Sequence, residues 1–186
     1  ACQRQGTRLT TVALPCHDVQ PHADEWTAAI LNAITPRTKL IVVRHVTSAT
    51  ALRFPVEAIC RGAAERGVPV AIDGPHAVGM LPLDLSRLGA TFYCASLHKW
   101  LSAPLGSGFL WVRRDWQSRI QPPIISWGRS LSGRAVRWQD PLDWMGTRDL
   151  SALLAIPAAL DFWDEVGLET LRTHGANLAR AAAEEL

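Results

Sequence analysis

Val68-Pro69-Val70-Ala71-Ile72-Asp73-Gly74-Pro75-His76 passes from a short apolar run directly into an acid, a turn pair and an imidazole. The run does not alternate polar with apolar, so it predicts a strand at 68–72 that is buried on both faces. Such strands belong to parallel sheets with helical crossovers, and the surrounding sequence fits one. Upstream, 55–66 opens on Pro55 and spaces Val56, Ile59, Cys60 and Ala63 along one helical face before Gly67 ends it. Before that lie an apolar strand at 39–43, a helix at 23–34 presenting Trp26, Ile30, Ala33 and Ile34, and a β-branched run at 8–14 closed by Pro15. Downstream, a polar and weakly helical stretch at 83–88 leads to strands at 91–95 and 108–112. The alternation predicts an α/β fold, a mainly parallel sheet flanked by helices on both faces.

The C-terminal third reads differently. From Gln121 to Trp138 the pattern dissolves into Pro, Gly, Ser and Arg, including Arg129, Arg134 and Arg137, a loop long enough to expect function or mobility. Helical periodicity resumes near Asp149, is interrupted by Pro157 and runs through Trp163; a second helix starts near Leu168.

A chain of 186 residues that is 48% hydrophobic and 19% charged suits one globular domain and excludes disorder. No run approaches the roughly 20 apolar residues of a membrane span. A net charge of +2 gives no broad basic field, which argues against nucleic acid or a membrane surface as partner. Arginine supplies the basic residues except at Lys39 and Lys99. The cysteines at 2, 16, 60 and 94 form no C-x-x-C pair and read as reduced thiols of a cytoplasmic protein, with Cys60 and Cys94 in the core. Most of the eight tryptophans crowd between Trp100 and Trp144, as an interface would have them. The first residues carry no signal-peptide core, and the last six stop in mid-helix by pattern, so both ends are expected to be cuts through something longer.

In parallel α/β sheets, ligands bind beyond the carboxyl ends of the strands. Three polar groups are predicted there: His45-Val46-Thr47-Ser48, Asp73-Gly74-Pro75-His76 and Ser96-Leu97-His98-Lys99. Each alone has an ordinary explanation, a turn for Asp-Gly and a solvated side chain for a lysine. On one rim, an acid, an amine, hydroxyls and imidazoles suit an anionic aldehyde cofactor. A metal site is not expected, because Cys16-His17-Asp18 with His22 lacks a paired ligand motif elsewhere. Gly106-Ser107-Gly108 precedes a strand, whereas a dinucleotide fingerprint follows one.

Asp73-Gly74-Pro75-His76, Ser96-Leu97-His98-Lys99 and Gly146-Thr147-Arg148-Asp149, in this order, resemble the class V aminotransferase family of pyridoxal-phosphate enzymes. With His45-Val46-Thr47-Ser48 and Phe54-Pro55-Val56, they most resemble its isopenicillin N epimerase-like branch. The resemblance implies the greater part of a fold-type-I large domain over 1–165, with 166–186 beginning the helix that leads to a small domain absent from this chain. It also implies pyridoxal 5'-phosphate as cofactor, an amino acid or aminoacyl peptide as substrate, and a homodimer with a shared active site.

By that resemblance Lys99 would carry the Schiff base with the cofactor aldehyde, a task that needs an amine able to lose its proton. Asp73 would hold the pyridine nitrogen protonated, and His76 would lie by the phenolic oxygen, unless it is simply a structural histidine after the turn. Ser96 and His98 would bind the phosphate of their own subunit. Gly146 and Thr147 would reach the partner's phosphate from the start of a helix, or Thr147, Asp149 or Ser151 would cap that helix, or both. Ser48, where desulfurases have Asn near the phenolic oxygen, is the least direct match. The family's upstream phosphate loop and stacking ring and its downstream substrate-binding Arg have no counterpart here. Epimerisation, transamination and cysteine desulfuration or C–S lysis therefore share every residue at hand. A non-catalytic truncated domain is the alternative of another class.

Overall fold

The computed structural model describes residues 6–15, 22–124, 127–128, 137–144 and 146–185. Cys2, Cys16-His17-Asp18, Arg129 and Arg134 lie outside the described residues. Helix α1 (Ala23–Asn32) precedes strand β1 (Ile41–Arg44), α2 (Val56–Glu65), β2 (Val70–Asp73), β3 (Phe92–Ser96) and β4 (Gly108–Val112). A 3-10 turn (Arg114–Arg119) follows, then α3 (Asp140–Asp143), α4 (Ser151–Leu154), α5 (Ile156–Val166) and α6 (Leu168–Glu184).

The four strands stand in the order β1-β2-β3-β4; the first three are mutually parallel, and β4 runs antiparallel to β3. The sheet is thus mostly parallel and flanked by helices, as the alternation predicts. Each parallel strand ends one residue later than its apolar run, so that Arg44 pairs with Asp73 and Asp73 with Cys94. The polar groups expected after the strands form their last rungs instead.

One face of the sheet carries the core. Val43, Val70, Ile72, Tyr93 and Ala95 pack there with Ile30 of α1 and Val56, Ile59, Cys60 and Ala63 of α2. The helices approach so closely that a Cβ at Gly62 would overlap the Leu31 side chain. The opposite face is exposed at Val42, Arg44, Cys94 and Leu110 and covered where Phe92, paired with Val112, meets Trp116 of the 3-10 turn, so the expected helical cover on both faces is seen on one among the described residues. Cys94 is accordingly exposed rather than in the core, while Cys60 is buried and burial pushes its thiol up to about 12.

Two further expectations are corrected. Residues 8–14 form no strand, because a β-branched run makes a ladder only beside a partner, and none flanks it among the described residues. The segment is held instead by Pro15, whose carbonyl accepts the Trp26 indole N–H at 2.7 Å. Residues 83–88 are a turn, because the Asp84 carboxylate accepts from the Ser86 N–H and hydroxyl and so competes with a helix. Pro157 acts as expected: it sits in the first turn of α5, and the helical stretch breaks at Ala155 just before it. No helix of the described residues is long and apolar enough to cross a membrane.

Candidate active site

Because β1, β2 and β3 are parallel, their carboxyl ends share one rim, and backbone bonds fix the heights of those ends. The His45 N–H donates to the Asp73 carbonyl at 2.9 Å, and the Gly74 N–H to the Cys94 carbonyl at 2.8 Å. Asp73 is therefore held from both sides at the point where the sheet gives out. Its carboxylate is half-buried on the open face and makes no ion pair among the described residues.

Lys99 lies in the connection from β3 to β4, whose first bond joins the Leu97 N–H to the Ser107 carbonyl at 3.1 Å. The Ser102 N–H donates to the Lys99 carbonyl at 3.1 Å, closing a turn with Ser102 at φ 58°. This turn rests on the one after Asp73. Gly79, at φ 86°, stands so near the backbone of Trp100 and Leu101 that a Cβ would lie 2.8 Å from the Trp100 carbonyl carbon.

The two turns bring Lys99 Nζ within 2.8 Å of His76 Nε2. Partial burial lowers the His76 pKa first, the Lys99 and Arg44 charges lower it further, and Asp73 opposes them. A neutral imidazole can accept from the ammonium, and a proton can pass along the bond.

Ser96, the last residue of β3, is half-buried and pairs with Gly108. His98 is half-buried, and its Nδ1 is fully buried without a hydrogen-bond partner among the described residues. Ser48 occupies an exposed turn over 48–50, next to Thr47, whose hydroxyl pairs with Thr50 at 2.6 Å. Gly146, at φ 100°, is half-buried with nothing near its Cβ position among the described residues, and Thr147 is exposed. Of the capping candidates, Asp149 accepts from the Ser151 N–H at 2.8 Å and from its hydroxyl at 2.5 Å; these bonds hold its carboxyl below the usual range. The structure thus brings Asp73, His76 and Lys99 together. No hydrogen bond joins Ser48, Gly146 or Thr147 to them among the described residues.

Sequence reasoning missed three contributors. His45, expected on the rim, turns inward: it is 1% exposed, with Nδ1 3.0 Å from the Tyr93 hydroxyl. Trp163 of α5 donates its indole N–H to the Leu101 carbonyl at 2.8 Å, inside a cluster with Leu97, Leu101 and Ala103. Arg172 of α6 donates to the carbonyls of Gly79 and Leu81, each at 3.1 Å. The last two helices thereby clamp both turns of the site.

The donor set fits an anionic aldehyde cofactor: among the described residues, a carboxylate without an ionic partner, an amine beside an imidazole, and an imidazole nitrogen left without a partner. Comparison with known proteins agrees. The model of the family described as aminotransferase class-V matches residues 1–186. An isopenicillin N epimerase of Amycolatopsis lactamdurans is 38% identical over 99% of this chain and 48% of its own length. The structure of a cysteine desulfurase of Escherichia coli superposes with a TM-score of 0.81 at 20% identity, covering 98% of this chain and 45% of that one. A lysine-to-alanine variant of C-DES, with glycine covalently linked to its pyridoxal-phosphate cofactor, gives a TM-score of 0.70 at 25% identity, over 79% of this chain and 41% of that one. The chain spans about half the length of the curated relative it matches.

Proposed function

Because the chain belongs to the class-V aminotransferase family, we propose that it is the lysine-bearing part of a pyridoxal-phosphate enzyme acting at the Cα of an amino acid or aminoacyl peptide, with isopenicillin N epimerase-like chemistry. When bound, the cofactor supplies an aldehyde and a cationic ring that accepts the electron pair left at Cα. The observation that carries the reading is the 2.8 Å contact of Lys99 Nζ with His76 on the rim that also bears Asp73.

Lys99 would hold the cofactor aldehyde and, with its amine free, would serve as the base that removes the Cα proton, inversion requiring that a proton be returned from the opposite face. Asp73 keeps the ring nitrogen protonated, because a carboxylate beside it favours the cation. His76 accepts a proton from Nζ and donates toward the phenolic oxygen, with Ser48 as a further hydroxyl on that side. Ser96 and His98 hold the phosphate, and Gly146 and Thr147 reach the phosphate of a partner subunit in a homodimer. Residues 1–165 make up most of the cofactor-binding large domain, and 166–186 begin the helix toward a small domain. Free thiols at Cys60 and Cys94 support a reducing, cytoplasmic setting.

Cysteine desulfuration or C–S lysis is the second reading, favoured by the likeness to C-DES, which is described as a cystine C-S lyase. Transamination uses the same residues. In this proposal the chain by itself binds cofactor and turns over little or no substrate. Titration with pyridoxal phosphate tests the assignment: a yellow chromophore should develop and be lost in Lys99→Ala. An unchanged spectrum in that variant would remove Lys99 from its role, and no chromophore in the unaltered chain would defeat the cofactor reading. Parallel assays of Cα–H exchange, keto-acid release and sulfide release on the protein with its flanking segments would separate the three chemistries.

A further inference from the structure

The proposed roles leave a buried polar pair unused. His45 follows β1 and Tyr93 lies within β3, and the two meet on the core face, opposite the face that carries Asp73. Tyr93 is fully buried, and its ring is nearly parallel to Phe109 at a centroid distance of 6.2 Å. Its hydroxyl fills the space where Gly74 would carry a Cβ. The His45 N–H holds the Asp73 carbonyl at 2.9 Å while its Nδ1 meets the Tyr93 hydroxyl at 3.0 Å. One residue therefore joins the two: the His45 backbone N–H holds Asp73, and its imidazole holds the hydroxyl that seats Gly74.

The arrangement is poor as mere packing. His45 Nε2 is buried without a partner among the described residues, a desolvation cost that two apolar rings would avoid. We propose that His45 and Tyr93 are positioning residues that fix the Asp73-Gly74 turn from beneath, so that the Asp73 carboxylate stands where a cofactor ring nitrogen needs it. The inference rests on the cofactor reading only in naming what Asp73 serves; that the pair fixes the turn stands by itself.

The test compares the intact chain with Tyr93→Phe, His45→Phe and the double variant. Thermal midpoint, amide hydrogen exchange over 73–77 and pyridoxal-phosphate affinity are read together. Either single change leaves a polar group orphaned and should lower the midpoint. The double change removes both partners and should restore most of it. The His45 backbone bond to Asp73 survives, but the hydroxyl beneath Gly74 and its bond to the imidazole stay absent, so exchange over 73–77 should remain roughly fivefold to tenfold faster and the cofactor Kd weaker by a similar factor. If exchange and affinity recover with the midpoint in the double variant, the pair is core packing and the proposal fails. A chain that binds no pyridoxal phosphate would defeat the cofactor reading instead, and the exchange measurement would still decide whether the pair holds the turn.

Discussion

The turn after Asp73 and the segment 146–149 both combine glycine with polar residues, yet they are held in opposite ways. Asp73 and Gly74 are tied to β1 and β3 by backbone bonds and seated on a buried tyrosine, and the adjoining Gly79 abuts the Lys99 turn. Gly146 has nothing around its Cβ position, Thr147 is exposed, and Asp149 bonds only to Ser151 among the described residues. The contrast teaches which proposed site residues this chain fixes by itself. The first group draws its geometry from the core; the second waits for whatever it contacts.

Substituting the glycines is the strongest way to break that comparison. Gly74→Ala would drive a methyl into the Tyr93 hydroxyl on a fully buried side chain, and over-packing there should cost about 3 kcal/mol. Gly146→Ala meets only the penalty of a positive φ, about 1 kcal/mol. Denaturant unfolding of the two variants measures the difference. Equal losses would mean that the Asp73 turn is no more tightly determined than the surface segment.

The sequence made the first region legible and left the second open, for a physical reason. The strands, the crossover helix α2 and the Asp73, Lys99 rim follow from local apolar runs and the turns that end them. The failed strand at 8–14 and the exposed Cys94 follow from what stands beside a segment, which periodicity does not encode. Val42, Cys94 and Leu110 look like core because their strands lack alternation, yet they line the open face. Ties such as Trp163 to Leu101, 62 positions apart, have no local signature at all. Ser48, Gly146 and Thr147 are recognised by motif, and no contact among the described residues assigns them a function.

Trp163 offers a smaller perturbation of the same contrast. Trp163→Phe keeps most of the ring within its cluster with Leu97 and Leu101 but orphans the Leu101 carbonyl, so stability should fall by about 1–2 kcal/mol. Trp144, beside the surface segment and 48% exposed, should tolerate the same change within about 0.5 kcal/mol. Thermal unfolding compares them. The Lys99 turn should also loosen in Trp163→Phe, visible as faster amide exchange over 99–103. Similar losses at the two tryptophans would undo the claim that α5 clamps the site.

Acid should separate the two regions with the least effect per step. Burial lowers the His45 pKa most, Arg53 lowers it further and Glu57 opposes them. The unfolded chain then takes up this proton first, as pH falls below the ordinary value near 6.5, and the folded chain follows later. Stability should accordingly fall between those points, by no more than about 1.4 kcal/mol per pH unit for one proton. His45→Phe should flatten that slope, leaving whatever His76 adds, since its pKa is lowered too. Asp149 works lower on the scale. Its bonds to Ser151 depress its pKa, so their contribution persists above the ordinary carboxylate value and disappears as pH falls through the lowered one. Unfolding midpoints taken from neutral pH downward should therefore show the histidine-dependent loss first. A slope unchanged in His45→Phe would mean that the imidazole beneath Asp73 does not titrate with folding, and the acid response would have to originate elsewhere.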